Sequence, residues 1–192
     1  MLITSVLNPV LDLAPTNACT QRWRTQPYRE TLSLQDGRRV LLRPAHHSDA
    51  GALALFFAAL SPRARLLRFH GAVNRLPELV LQSMTTQVPE RHVALVALTT
   101  TDDGLQQLLA EARYAISNDG EAEFAVAVAD TWQRQGLGRA LVQRLAVHAR
   151  ASGLQRLHGS VLPGNEAMLQ LMAGLGAKLH DDGAVVDARL AL

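Results

Sequence analysis

Cysteine is nearly absent from this chain of 192 residues: Cys19 stands alone. No internal disulfide can form, and a reducing compartment is the simpler setting, so the cytoplasm is the expected location. Lysine is as scarce, with Lys178 the only one among 19 basic side chains. A phosphate loop ending in Gly-Lys-Ser/Thr is therefore excluded. Charge of one sign is lacking too: the net charge is only +2, and the arginines are interleaved with acids. A nucleic-acid-binding protein would gather its basic residues into a patch or stripe, so no nucleic-acid partner is expected. No apolar run reaches membrane-spanning length. The start of the chain has no basic leader region, and Asn8, Pro9 and Asp12 interrupt its apolar residues. No membrane partner follows. His46-His47 has no second pair at ligand spacing, so no metal is expected. No internal repeat or low-complexity segment occurs.

The residues present describe an ordinary globular chain, 48% hydrophobic, of a size for one domain with a proper core plus an extension. Residues 1–30 read as an irregular extension and 31–192 as the domain. Asp36-Gly37 turns a hairpin between Thr31–Leu34 and Arg39–Arg43. Ser48 is placed to cap a helix from Asp49 to Leu60, and Ser61-Pro62 opens another to Phe69, with Gly71 past its end. A third helix is expected over Pro77–Met84. Strands follow at His92–Leu98 and within Leu108–Ile116.

The stretch Glu121 to Ala149 organises the rest. Its Val- and Ala-rich first nine residues predict a strand, Asp130, Thr131 and Trp132 turn the chain, and Gln133 to Gly138 lead into a helix. Leu137, Leu141, Leu145 and Ala149 form one apolar stripe, while Arg139, Gln143, Arg144, His148 and Arg150 cover the opposite face and Gly153 stands at the C-terminal cap. Strand alternation puts Glu123, Ala125, Ala127 and Ala129 on one face, an alanine trough with a carboxylate at its end. A helix start presents unpaired N–H groups and a partial positive charge, and Gly136 and Gly138 leave them open to an anion. A dinucleotide fingerprint needs a small residue at 141, where Leu stands. Beyond the helix come a strand at Arg156–Leu162, a helix at Asn165–Leu175, and strands near Lys178–His180 and Ala184–Leu190.

Gln133-x-x-Gly136-x-Gly138, set between strand and helix, resembles the pyrophosphate loop of the GNAT superfamily of N-acetyltransferases, and the likeness runs over nearly all of residues 31–192. The Glu123–Val128 strand followed by this loop is most similar to the acetyltransferase domain of bacterial protein lysine acetyltransferases. The resemblance implies an α/β fold with a mixed central sheet of about seven strands flanked by helices. Two parallel strands, Ala122–Val128 and Arg156–Leu162, would splay to admit acetyl-CoA. It further implies backbone contacts from Val126, Ala127 and Val128 to the pantetheine arm. Arg134, Gln135, Gly136, Leu137, Gly138 and Arg139 would hold the pyrophosphate, with Asn165 near the pantetheine as well as capping its helix. Glu123 would be the general base that takes a proton from the attacking amine. The acceptor implied is a primary amine, on a protein lysine or a small molecule, with homodimerisation left open. Where many members carry a tyrosine to protonate the departing thiolate, this chain has Met172, and the usual Gly-Phe ending is Gly176-Ala177. That departure keeps a second reading in view, a non-catalytic acyl-CoA-binding sensor or regulatory module. Tyr114 is a further candidate polar group for the wedge; His92 and His158 read as core or edge histidines, and Trp132 as packing for the turn.

Overall fold

The computed structural model describes residues 29–88, 91–117 and 120–192. The extension therefore lies outside the described residues, apart from its last two positions. The chain order is β1 (Glu30–Ser33), β2 (Arg39–Pro44), α1 (Ala50–Ala59), α2 (Pro62–Phe69), α3 (Glu78–Thr85), β3 (His92–Thr100) and β4 (Gln106–Ile116). Then follow β5 (Ala122–Val128), α4 (Leu137–Ala151), β6 (Arg156–Val161), α5 (Glu166–Ala173), β7 (Lys178–Asp181) and β8 (Val186–Ala191). The strands form one mixed sheet of eight, in the order β1-β2-β3-β4-β5-β6-β8-β7, one strand more than the seven or so expected. All neighbours are antiparallel except β5 and β6.

Each face of the sheet has its own core. On one face, Phe124 of β5 and Ala112 and Tyr114 of β4 pack with Leu137, Leu141 and Leu145 of α4 and Met172 of α5. On the other, Ala94 and Val96 of β3 and Ala127 of β5 pack with Leu53 and Phe57 of α1, Phe69 of α2 and Leu81 of α3. Full burial of one such leucine or phenylalanine contributes about 1.5–3 kcal/mol, so the two layers hold the sheet between them.

Local chemistry explains the element ends. Gly37 takes φ +82° in the β1–β2 turn, a conformation that glycine adopts without strain. The cap before α1 differs from expectation. His46 is the capping residue: its ring Nδ1 accepts from the Ser48 amide at 3.4 Å, while the Asp49 carboxylate accepts from the His46 amide at 2.8 Å. Ser48 lies inside the short 3₁₀ turn, one residue before Asp49, which holds the cap position of α1. Asp49 also holds Arg43 through two bonds of 2.6 and 2.8 Å. Ser61 caps α2 as read, its Oγ accepting from the Ala64 amide. The left-handed residue that ends α2 is His70, at φ 54°, one position before the expected Gly71.

The α4 stripe is buried as expected, but His148 is a correction. It is 3% exposed, and its Nδ1 lies 2.8 Å from the Tyr114 hydroxyl. The stripe is wider than leucine spacing alone reveals, because a histidine whose ring meets a buried tyrosine can share the apolar face.

Candidate active site

The parallel pair at the centre of the sheet is joined at a single rung. Glu123 of β5 is registered with His158 of β6, and no other residues of these strands pair. Beyond that rung the strands diverge, leaving the β6-facing edge of β5 without a partner strand. At the rung itself, Gly159 lies against the Phe124 ring; a Cβ there would come 2.7 Å from Phe124 Cε1.

The Gln133–Gly138 loop closes the open end, and each of its signature residues has a physical reason. Gln133 Nε2 donates to the Val128 carbonyl at 3.0 Å, tying the loop to the last residue of β5. Gly136 is the residue before α4 and adopts φ +86°, which a side chain would strain. Gly138 serves packing: a Cβ would meet Leu171 Cδ1 of α5 at 3.3 Å and Val128 Cγ2 at 3.8 Å. The expectation that both glycines clear room for an anion is therefore corrected for Gly138, whose missing side chain faces protein. The backbone turned outward is that of the first turn of α4, Leu137 to Arg139, whose N–H groups lie too early to have intrahelical partners. Arg134 is one of two non-glycine residues with positive φ among the described residues, at 60°. Gln135 is half-buried, and the Arg139 guanidinium lies against Gly174 at the end of α5. The hairpin tip supports the loop, with Arg38 stacked 3.7 Å over the Trp132 ring.

α2 lies across the mouth of the wedge. Ser61 donates through its amide and its hydroxyl to Asp130, just after β5, at 2.9 and 2.7 Å. Arg63 donates to the Gly164 carbonyl, in the segment after β6, at 3.4 Å. The far end of α2 reaches the Glu123 end of β5. Burial first, and then Arg68, hold His70 below the ordinary imidazole range, while the Glu123 carboxylate draws it the other way.

Asn165 caps α5, its Oδ1 accepting from the Met168 amide at 3.3 Å. Of the backbone positions named for the pantetheine, Val126 turns its N–H and C=O to the open edge of β5, Ala127 spends its own on Glu111 of β4, and the Val128 carbonyl is already taken by Gln133. Met172 is wholly buried in the α4 and α5 core. Tyr114 does not face the wedge. It is fully buried on the α4 side, hydrogen-bonded to His148 and Ser152, and desolvation pushes its hydroxyl up to about 12. A splayed parallel pair, an open strand edge and a helix start at its end together fit an elongated ligand with an anionic terminus. Among the described residues no group of acids, histidines or cysteines could hold a metal.

Comparison with known proteins decides the family. The model of the acetyltransferase (GNAT) family matches residues 73–177. The chain belongs to the GNAT family. An acetyltransferase of Pseudomonas aeruginosa is 32% identical over 163 residues, covering 83% of this chain and 88% of that one. Among solved structures, the GNAT domain of PAT from S. lividans superposes with a TM-score of 0.77 at 28% identity, over 85% of this chain and 97% of that one. A putative acetyltransferase of Salmonella typhimurium, solved with its cofactor acetyl-CoA, shares the fold at a TM-score of 0.57 and 20% identity, over 80% and 92% of the two chains.

Within this GNAT domain the main feature missed from sequence is a buried charge cluster. Glu111 and Arg113 on β4 are 0% and 2% exposed. Arg68 of α2 reaches Glu111 Oε2 at 3.4 Å, and Arg113 Nε lies 3.3 Å from Glu111 Oε1. Register sets Arg113 opposite Ala125 and Glu111 opposite Ala127. The alanine trough is therefore walled by guanidinium and carboxylate groups. The signal was present: in Leu-Leu-Ala-Glu-Ala-Arg-Tyr, an acid and a base two apart on a strand must share a face.

Proposed function

We propose that this chain transfers an acetyl group from acetyl-CoA to a primary amine, on a protein lysine or a small molecule, by direct attack with Glu123 as general base. The observation that carries the reading is the parallel pair held by the single Glu123–His158 rung, with the α4 start at its open end. Acetyl-CoA supplies the activated acyl group. The α4 amides of Leu137, Gly138 and Arg139, with Arg134, Gln135 and Gly136, would hold its pyrophosphate. The open edge of β5 at Val126, the Val128 amide and Asn165 would take the pantetheine amides.

Glu123 stands where the strands part, half-buried. An amine must be neutral to attack, and a lysine ammonium of ordinary pKa about 10.4 resists losing its proton at pH 7 by roughly 4.6 kcal/mol. A carboxylate within reach takes that proton, directly or through one water. Direct attack is favoured over an acyl-enzyme because no described serine or cysteine stands beside Glu123 in a base-activated arrangement. Neither Met172 nor Tyr114 can protonate the departing thiolate, the first for want of a proton and the second because its hydroxyl is buried on the other face. Water or the ammonium proton serves instead.

The test has two arms. Acetyl-CoA should raise the melting temperature while ATP does little. Glu123→Gln should keep that shift and lose about 10²- to 10⁴-fold in turnover with an amine acceptor at pH 7. A mutant within about threefold of wild type removes the glutamate from the mechanism. Binding without turnover across an acceptor library monitored by thiol release would favour the sensor reading.

A further inference from the structure

Two guanidinium groups and one carboxylate lie together under α2, where water does not reach. Arg68, Glu111 and Arg113 carry a surplus of one positive charge, and four of their polar atoms are buried without a hydrogen-bond partner: Arg68 Nε, Glu111 Oε1, Arg113 Nε and Arg113 NH2. Ions buried this way cost more in lost hydration than their attraction returns, so stability alone is a poor reason to keep them. Burial draws Arg113 down to about 10, still charged at neutral pH, and two carboxylates oppose that fall, Glu111 and Glu123.

The register explains how Arg113 serves both. Ala115 pairs with Glu123, and Arg113 pairs with Ala125. Arg113 and Glu123 are thus diagonal neighbours on one face, about 7–8 Å apart at the backbone and within reach of a long side chain. With Glu123 ionised, the four groups sum to zero. Once Glu123 takes a proton, the cluster is left with an unmatched positive charge in a dry setting. Around it stand His70 at the end of α2, His92 on β3 and His158 on β6.

We propose that Arg113, backed by Arg68 and Glu111, is a positioning residue for Glu123: its buried charge fixes the carboxylate at the mouth of the wedge and drives an acquired proton onward to solvent. The proposal rests on Glu123 being the base. In each turnover the ammonium gives one proton to Glu123, the neutral nitrogen gains the acyl bond, the carbon–sulfur bond breaks, and a second proton from nitrogen passes, directly or through water, to the thiolate, which leaves as free thiol. The proton held by Glu123 then leaves for solvent, so the pair returns to its starting state.

A double-mutant cycle tests it. Arg113→Met should lower kcat tenfold or more, with the amine KM and the acetyl-CoA-induced melting shift held within about twofold. Arg113→Lys keeps the charge but loses the fork that can address two carboxylates, and should lower kcat by about threefold. Both losses should vanish in a Glu123→Gln background, with the four enzymes of each cycle assayed at one pH. Equal losses with and without Glu123 would overturn the proposal, as would an Arg113→Lys enzyme at the wild-type rate. Should Arg113→Met fail to fold, Arg113→Lys decides the question by the same cycle. A Glu123→Gln enzyme that is itself unimpaired removes the base as well, so the two failures are separable.

Discussion

His148 and Tyr114 show what a single buried histidine does to acid stability. Desolvation lowers the His148 imidazole to about 4 in the folded chain, against about 6.5 when unfolded. Between those values the unfolded chain binds the extra proton, so stability is full above about pH 6.5 and falls as pH drops towards 4. At roughly 1.36 kcal/mol per unit, the loss is on the order of 3 kcal/mol across that window. Thermal unfolding followed from pH 7 to pH 4 should show the decline. His148→Leu should be less stable at pH 7, by about 0.5–1.5 kcal/mol for the lost Tyr114–His148 hydrogen bond, the hydroxyl keeping Ser152, yet lose less on acidification. An unchanged slope would mean other groups govern the acid limb. Spacing alone put this histidine on the solvent face, because periodicity reports apolar positions and cannot see a polar ring satisfied from across the core.

At the scale of elements, the glycines separate into kinds that the motif treats alike. A Cβ on Gly136 would meet only Gln35 Nε2, at an ordinary 4.0 Å, but the residue sits at φ +86°, so alanine there costs backbone strain of about 1–2 kcal/mol. Gly138 needs only that the tip of Leu171 give way by a few tenths of an ångström, and alanine should cost less. Gly159 has neither φ nor motif to mark it, yet a Cβ there would strike the buried Phe124 ring at 2.7 Å. Gly159→Ala should therefore be the most damaging of the three, by about 1–3 kcal/mol of overpacking. Melting temperatures of the three variants test the order. Strands, helices and the loop were legible because each carries a local signal: alternation, a stripe, or a turn dipeptide such as Asp36-Gly37. Gly159, the Ser61–Asp130 tie and the Arg68–Glu111 contact are long-range, and one sequence holds no record of which residues meet. The Glu111-x-Arg113 pattern lies between. Its shared face could be read locally, but its burial depends on α2 closing over it.

Taken whole, the sheet is two plates hinged at one point. Five strands, β1 to β5, lie on one side of the Glu123–His158 rung and three, β6, β8 and β7, on the other. Between the other neighbouring strands each edge shields its neighbour's amides; along this seam no described strand does so past the rung. Deuterium should therefore enter the seam-facing amides of Val126 and Val128 much faster than those of β3, which is paired on both sides. An amide-bearing ligand laid into the gap would act as a ninth strand and slow exchange on both lips, leaving β3 as it was. Stabilisation by acetyl-CoA without slower exchange at Val126 and Val128 would put the ligand somewhere else. Among the described residues the plates would then be joined by the Glu123–His158 rung and by the helices that span them, α4 behind the sheet and α2 across its mouth.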